Sequence, residues 1–345
     1  MSATPLKIVG APGSPYSRKL RAVLRYRRID HLWIVRGSRD DHDIPSVPVS
    51  LIPVLVFPGE GGADDEAALD TTPLIRRLED RYKERSVIPP DPAIALIDAL
   101  IEDYADEWLT KAMFHYRWVY RADIDKAAQI LPRWRMPDAP DEQIAPISKM
   151  IAERQIERLW VVGSNETTGP VIEDSYKRLL TLLDAHLSGN PYVMGRRPGS
   201  ADFALLGQLT QLVLFDPTPA AVALELAPRI YAWCEVIEDL SGTDVDDSQW
   251  ITRDTVPDTL RALLAEVGRV YAPFLLANAA ALESGAESVE TEIDGRPWVQ
   301  KPFPYQGKCL AELRRAYGAL ADADRACVDG LLEGSGCEAM FGSGR

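Results

Sequence analysis

The sequence predicts an α/β unit, then an all-helical unit, then a further C-terminal segment. Three observations predict this. Residues 1–86 alternate short apolar runs with amphipathic stretches in the order βαβ, loop, ββα. From residue 93 to about 240 the periodicity is helical and strand patterns vanish. Beyond that, helical patterns continue around one hairpin signal, Asp294-Gly295, a pair suited to a type I′ turn.

The elements follow in order. "LKIVGAP" at 6–12 reads as a buried strand, and "SRKLRAVLRYRR" at 17–28 as a helix. That helix sets Leu20, Val23 and Leu24 on one face. Its basic residues Arg18, Lys19, Arg21, Arg25, Arg27 and Arg28 read as a solvated face. "HLWIVRG" at 31–37 is a second strand, so the opening favours a right-handed crossover and a parallel pair. A loop carrying Pro45, Pro48 and Pro53 leaves room for only a short helix. "VLVFP" at 54–58 and "ALDT" at 68–71 flank a Gly- and acid-rich turn and read as a hairpin. "TPLIRRLEDRYKER" at 72–85 is helical, with Pro73 tolerated in its first turn. "VIPPDP" at 87–92 marks a boundary, giving units at 1–86, 92–242 and 250–345. In the third unit, 257–283 is an amphipathic helix that Pro273 should kink or end.

Composition narrows function. Of 345 residues, 46% are hydrophobic and 26% charged, an ordinary balance for a soluble globular chain. The 38 Lys and Arg against 52 Asp and Glu leave a net charge of −14, which argues against nucleic acid or anionic membrane as partner. No signal peptide or spanning apolar run is read. Cys234, Cys309, Cys327 and Cys337 lack metal or disulfide spacing, so a reduced cytoplasmic protein without metal is expected. Buried, inert thiols are the default for all four.

Four motifs then line up: "GSPYSRK" at 13–19, "LIPVLV" at 51–56, "LDTTPLIRRLEDRY" at 69–82 and "YVMGRRPGSADFALLGQL" at 192–209. Together they resemble the cytosolic glutathione transferases of the serine type. The resemblance implies a thioredoxin-like N-terminal domain, an all-helical C-terminal domain and, past about residue 245, an extension longer than the family needs. It implies glutathione as co-substrate, a hydrophobic electrophile in the inter-domain cleft, and a homodimer.

Ser14 stands where a thiol-disulfide protein carries a cysteine. A helix N-terminus favours an anion there. A free thiol has a pKa of roughly 8.5, and a hydroxyl donating to the thiolate lowers it. A corner without its own thiol can thus hold and ionise another molecule's. The bland alternative is that Ser14 or Ser17 only caps the helix. Tyr16 is a further, weaker candidate. By resemblance, Pro53 is a cis-proline that leaves the Ile52 backbone free to pair with the cysteinyl amide. Asp70 receives the γ-glutamyl ammonium, and Thr71 meets its carboxylate. A plain N-cap is the alternative for both. Arg39, or Arg36, meets the glycyl carboxylate. Asp202 is expected at N3 of a helix capped by Gly199. Tyr104, Trp108, His115 and Trp118, with Met113, Phe114 and Tyr116 adding bulk, read as core or dimer contact before pocket lining. Two rivals to the transferase stay open: a non-catalytic binding or scaffold protein whose "GRPWVQKPFPYQGKCL" segment plugs the cleft, and a thiol transferase, against which the missing cysteine speaks.

Overall fold

The computed structural model describes residues 4–59 and 65–342. The expected turn at 60–64 lies outside them. Strand β1 (Leu6–Gly10), helix α1 (Pro15–Tyr26) and β2 (His31–Val35) form the βαβ opening, followed by β3 (Val54–Phe57), β4 (Glu66–Ala68) and α2 (Thr71–Arg81). The sheet order is β2-β1-β3-β4, with β1 parallel to β2 and antiparallel to β3, and β3 antiparallel to β4. The helix α1 starts two residues earlier than its periodicity suggests, because Ser14 caps it and Pro15 supplies the preset φ of a first helical position. One face of the sheet buries Leu6, Ile8 and Leu55 against the helices. The other buries Val9, Val54 and Val56 beneath Ile44 and Val47 of the proline-rich loop.

The helical unit holds α3 (Pro92–Tyr104), a π-helical turn (Ala105–Leu109), α4 (Thr110–Val119), α5 (Arg121–Arg133), α6 (Asp141–Ile156), α7 (Gly169–Leu187), α8 (Ser200–Leu209), α9 (Pro217–Leu226) and α10 (Pro228–Ile237). The fold is thus a thioredoxin-like domain with a mixed sheet, then a helical domain, then additional helices. At the start of α8, the carboxylate of Asp202 accepts from the Gly199 N–H at 2.9 Å, which is the expected box. Asp202 also accepts from Val193 N–H.

The C-terminal segment adds α11 (Asp258–Ser284), a hairpin of β5 (Val289–Ile293) and β6 (Arg296–Gln300), α12 (Pro304–Gly318) and α13 (Asp322–Leu332). Asp294 and Gly295 both have positive φ, as a type I′ turn requires. Pro273 does not end α11, which corrects one of the two outcomes the sequence offered. A proline in a helix interior costs about 3 kcal/mol. Its neighbours Val270, Phe274 and Leu275 are fully buried, each contributing about 1.5–3 kcal/mol, and packing prevails. The segment packs onto the helical unit. Trp298 is 0% exposed, with ring centroids 5.2 Å from Trp108 and 6.0 Å from Phe274. The aromatic stripe of 104–118 is therefore largely core, and the C-terminal segment fills much of what it faces.

Candidate functional site

Register places the expected ligand groups at one end of the sheet. Val9 lies opposite Val54, Leu55 opposite Ala68, and Gly10 beside Val35. The segments leaving β1, β2 and β4, and the one entering β3, therefore share an edge. They carry Ser14, Arg39, Asp70-Thr71 and Ile52.

The loop bearing Ser14 is held from the helical domain. Arg117 donates to the Gly13 carbonyl at 3.0 Å, to Gln211 and to Asp216, and Arg18 donates to the Pro12 carbonyl. Gly13 is needed here because a Cβ would collide with the Trp134 ring. Ser14 Oγ accepts from the Ser17 N–H at 3.2 Å, so it does cap α1. That bond uses a lone pair and leaves the hydroxyl proton for an acceptor. Ser17 is different: it is fully buried, and its Oγ accepts from Ala11 N–H. It braces the corner beneath the cleft. Tyr16 is likewise spent, donating to the Asp106 carbonyl at 2.9 Å, with burial holding its phenol well above the ordinary value.

The start of α2 behaves otherwise. Asp70 has φ 75° and ψ 112°, outside the left-handed well that aspartate tolerates, at a cost of about 1–3 kcal/mol. An aspartate at this position ordinarily caps its helix, yet Asp70 makes no side-chain cap bond. Its exposed carboxylate has no cationic partner among the described residues. It accepts only the Tyr305 hydroxyl, at 2.7 Å. Thr71, the first residue of α2, is buried.

Ile52 precedes the Ile52–Pro53 bond, which is cis. Among the described residues its backbone N–H and C=O find no partner. Arg36 is taken by Asp41 at 3.1 Å, whereas Arg39 makes no ion pair among the described residues. Arg39 borders a cavity of about 460 Å³ with Trp33, Trp134 and Arg135. A second cavity, about 780 Å³, opens beside Asp70 between α2, α3 and α12.

Beneath the site runs a clamp that the sequence did not reveal. Lys19 is not solvated: it is 1% exposed, and its Nζ reaches Glu102 at 2.7 Å, Asp106 at 2.5 Å and Thr72 Oγ1 at 3.2 Å. Burial opposes its charge, but the two carboxylates outweigh this and bring it up to about 12. Burial also opposes the charge of Glu102, yet Lys19 and Arg76 bring it down to about 2. The π-helical turn shifts the helix face beyond Glu102. Asp103 accepts from Tyr271 Oη at 2.6 Å, and Glu107 from Gln306 Nε2 at 3.2 Å. Burial pushes Asp103 up to about 7 and Glu107 up to about 8.

Ser164, His115 and Glu173 form a hydrogen-bond chain in the order of a nucleophilic triad, with Ser164 Oγ 2.8 Å from Nδ1 and Glu173 3.1 Å from Nε2. It is structural. Ser164 is buried, and the N–H groups of Ser164 and Asn165 donate to Leu159 and Thr168, leaving neither for an oxyanion. Among the described residues no His, Cys, Asp and Glu group is arranged for a metal ion, and no helix is long and apolar enough to cross a membrane.

Residues 8–86 match the model of the glutathione S-transferase N-terminal domain, and residues 172–240 that of the glutathione S-transferase C-terminal domain. The chain therefore carries regions matching both domains of the glutathione S-transferases. Similar solved structures include a glutathione transferase family member from Pseudomonas fluorescens Pf-5 with two glutathione bound, at 16% identity over 67% of this chain and 87% of that one, TM-score 0.43. FzlA from C. crescentus is similar at 17% identity over 72% and 96%, TM-score 0.43. A tau-class enzyme from mango, Mangifera indica, is similar at 21% identity over 75% and 95%, TM-score 0.39. No curated protein matches the chain.

Proposed function

We propose that the chain is a glutathione transferase that binds glutathione along the sheet edge and ionises its thiol at Ser14. The γ-glutamyl ammonium goes to Asp70 and its carboxylate to Thr71. The cysteinyl amide pairs with the Ile52 backbone beside Pro53, and the glycyl carboxylate meets Arg39. One observation carries this reading. At this edge the Ile52 backbone and Arg39 have no partner among the described residues, Asp70 has no cation and Ser14 keeps its hydroxyl proton free, while Arg36 and Tyr16 beside them are taken and Ser17 is buried. The strain at Asp70 supports it, since a costly backbone persists where something other than folding selects it.

The Ser14 hydroxyl keeps its proton and donates a hydrogen bond to the thiolate, which shifts the thiol equilibrium toward the charged form, the thiol proton passing to solvent. The thiolate then attacks a hydrophobic electrophile by addition or displacement. Positioning and charge stabilisation supply the rate. A reduced cytoplasmic setting and a homodimer go with the reading; sedimentation would test the latter as twice 38.2 kDa.

The test is calorimetric titration of the full chain with reduced glutathione, beside ultraviolet titration of the bound thiol in wild type and Ser14→Ala. Binding, with a thiol pKa that rises in the variant, is the expected result. Binding with an unchanged thiol pKa would leave a glutathione-binding protein without this catalysis. No binding by the wild type would overturn the reading.

A further inference from the structure

The second cavity is walled on one side by the C-terminal segment. Tyr305, Lys308 and Cys309 from the start of α12 face Asp70 and Thr72 across it. Tyr305 lies 235 residues from Asp70 in sequence, and its hydroxyl donates to Asp70 Oδ2 at 2.7 Å. This end of α12 is fixed. Gln306 donates to Glu107, the Asn278 side chain of α11 brackets Phe303 by accepting its N–H and donating to its carbonyl, and Leu310 and Leu313 are buried. Tyr305 is nonetheless 39% exposed, so its ring stands at the rim and not in the core.

An aspartate with one oxygen held by a phenol keeps its other oxygen, and its full charge, for a cation. A phenol is a neutral donor. It orients the carboxylate without neutralising it, whereas a lysine or arginine in the same place would compete with an incoming ammonium. Burial, followed by the nearby Asp70 charge, pushes the Tyr305 phenol far above its ordinary range, so it stays a donor across neutral pH.

We propose that the C-terminal segment completes the amine-recognising end of the glutathione site within the same chain, with Tyr305 as a positioning residue for Asp70. This rests on the proposed glutathione site. It gives the segment a role that neither domain model assigns: a ligand carrying a free α-ammonium is favoured over one lacking it, and α12 is coupled to occupancy.

Two measurements test it. In the first, wild type, Tyr305→Phe, Asp70→Ala and the double variant are titrated calorimetrically with reduced glutathione and with glutaryl-cysteinylglycine, which is glutathione without its α-ammonium. Tyr305→Phe should weaken glutathione by about three- to tenfold, the range of one ordinary hydrogen bond. It should leave glutaryl-cysteinylglycine unchanged and add nothing in the Asp70→Ala background. In the second, hydrogen exchange on the wild type should show glutathione protecting residues 304–309. If wild type binds glutathione but Tyr305→Phe binds it equally well, this proposal alone falls, as it does if both probes weaken together. If wild type binds no glutathione, the site reading falls and takes this proposal with it.

Discussion

The two helix starts at the cleft make opposite use of their first residues. At α1, Ser14 sits in relaxed extended backbone and caps the helix. At α2, Asp70 sits in strained backbone and leaves the helix uncapped by its side chain. A cap that satisfies its own helix explains itself by stability, which removing a serine cap measures at about 0.5–2 kcal/mol. A cap position that carries strain and forgoes the bond needs another reason. The difference separates a residue whose place the fold explains from one that the fold would be better without.

That contrast can be broken or sharpened by substitution. The largest effect is expected beneath both corners. Lys19→Met leaves Asp106 without its cation and should cost about 3–5 kcal/mol in a denaturant titration. A loss below about 1 kcal/mol would mean the clamp is water-filled. Next comes Ser14→Ala, which should lower turnover with a generic aryl electrophile about a hundredfold while glutathione affinity changes little. Lost affinity with retained turnover would reverse the roles assigned to the two corners. Asp70→Gly should do the reverse in a second way, stabilising the chain by about 1 kcal/mol as strain is released while glutathione binding weakens at least tenfold. A destabilised Asp70→Gly would show that Asp70 serves the fold after all.

The smallest effect is in pH. The folded pKa values of Asp103 and Glu107 are raised by burial to about 7 and about 8, from 3.8 and 4.5. The folded state therefore holds these protons where the unfolded chain has lost them. The contribution is full below the unfolded values and disappears as pH rises through about 7 to 8. Protection of the α12 amides should decline over that range, and Asp103→Asn with Glu107→Gln should flatten the decline. Asp106, Glu102 and Lys111 adjoin the pair and should leave a residual slope.

Much of this was legible in the sequence, for physical reasons. Residues such as Val9, Val54 and Leu74 repeat at strand or helix spacing, and Asp294-Gly295 and Gly199…Asp202 are local signals whose partners sit within three residues. Lys19 misled because it stands among Arg18, Arg21 and Arg25 with no acidic residue near it in sequence, while the carboxylates that bury it lie 83 and 87 residues away. Arg117 and Tyr305 were missed for the same reason: nothing near them in sequence reveals Gly13 or Asp70. At Pro273 the sequence offered a kink or an end, and the end was excluded by packing that a local cost does not reveal.

The C-terminal segment has a consequence for how the chain is made. Phe274, Trp298, Cys337 and Met340 complete a core that also contains Trp108 and Leu183. During vectorial synthesis those earlier helices leave the ribosome before Phe274 and Trp298, the rings that pack on Trp108, have been made. The helical region must therefore wait, exposed, for its last pieces, and a nascent-chain chaperone or a slow, late collapse is the expected companion of its synthesis.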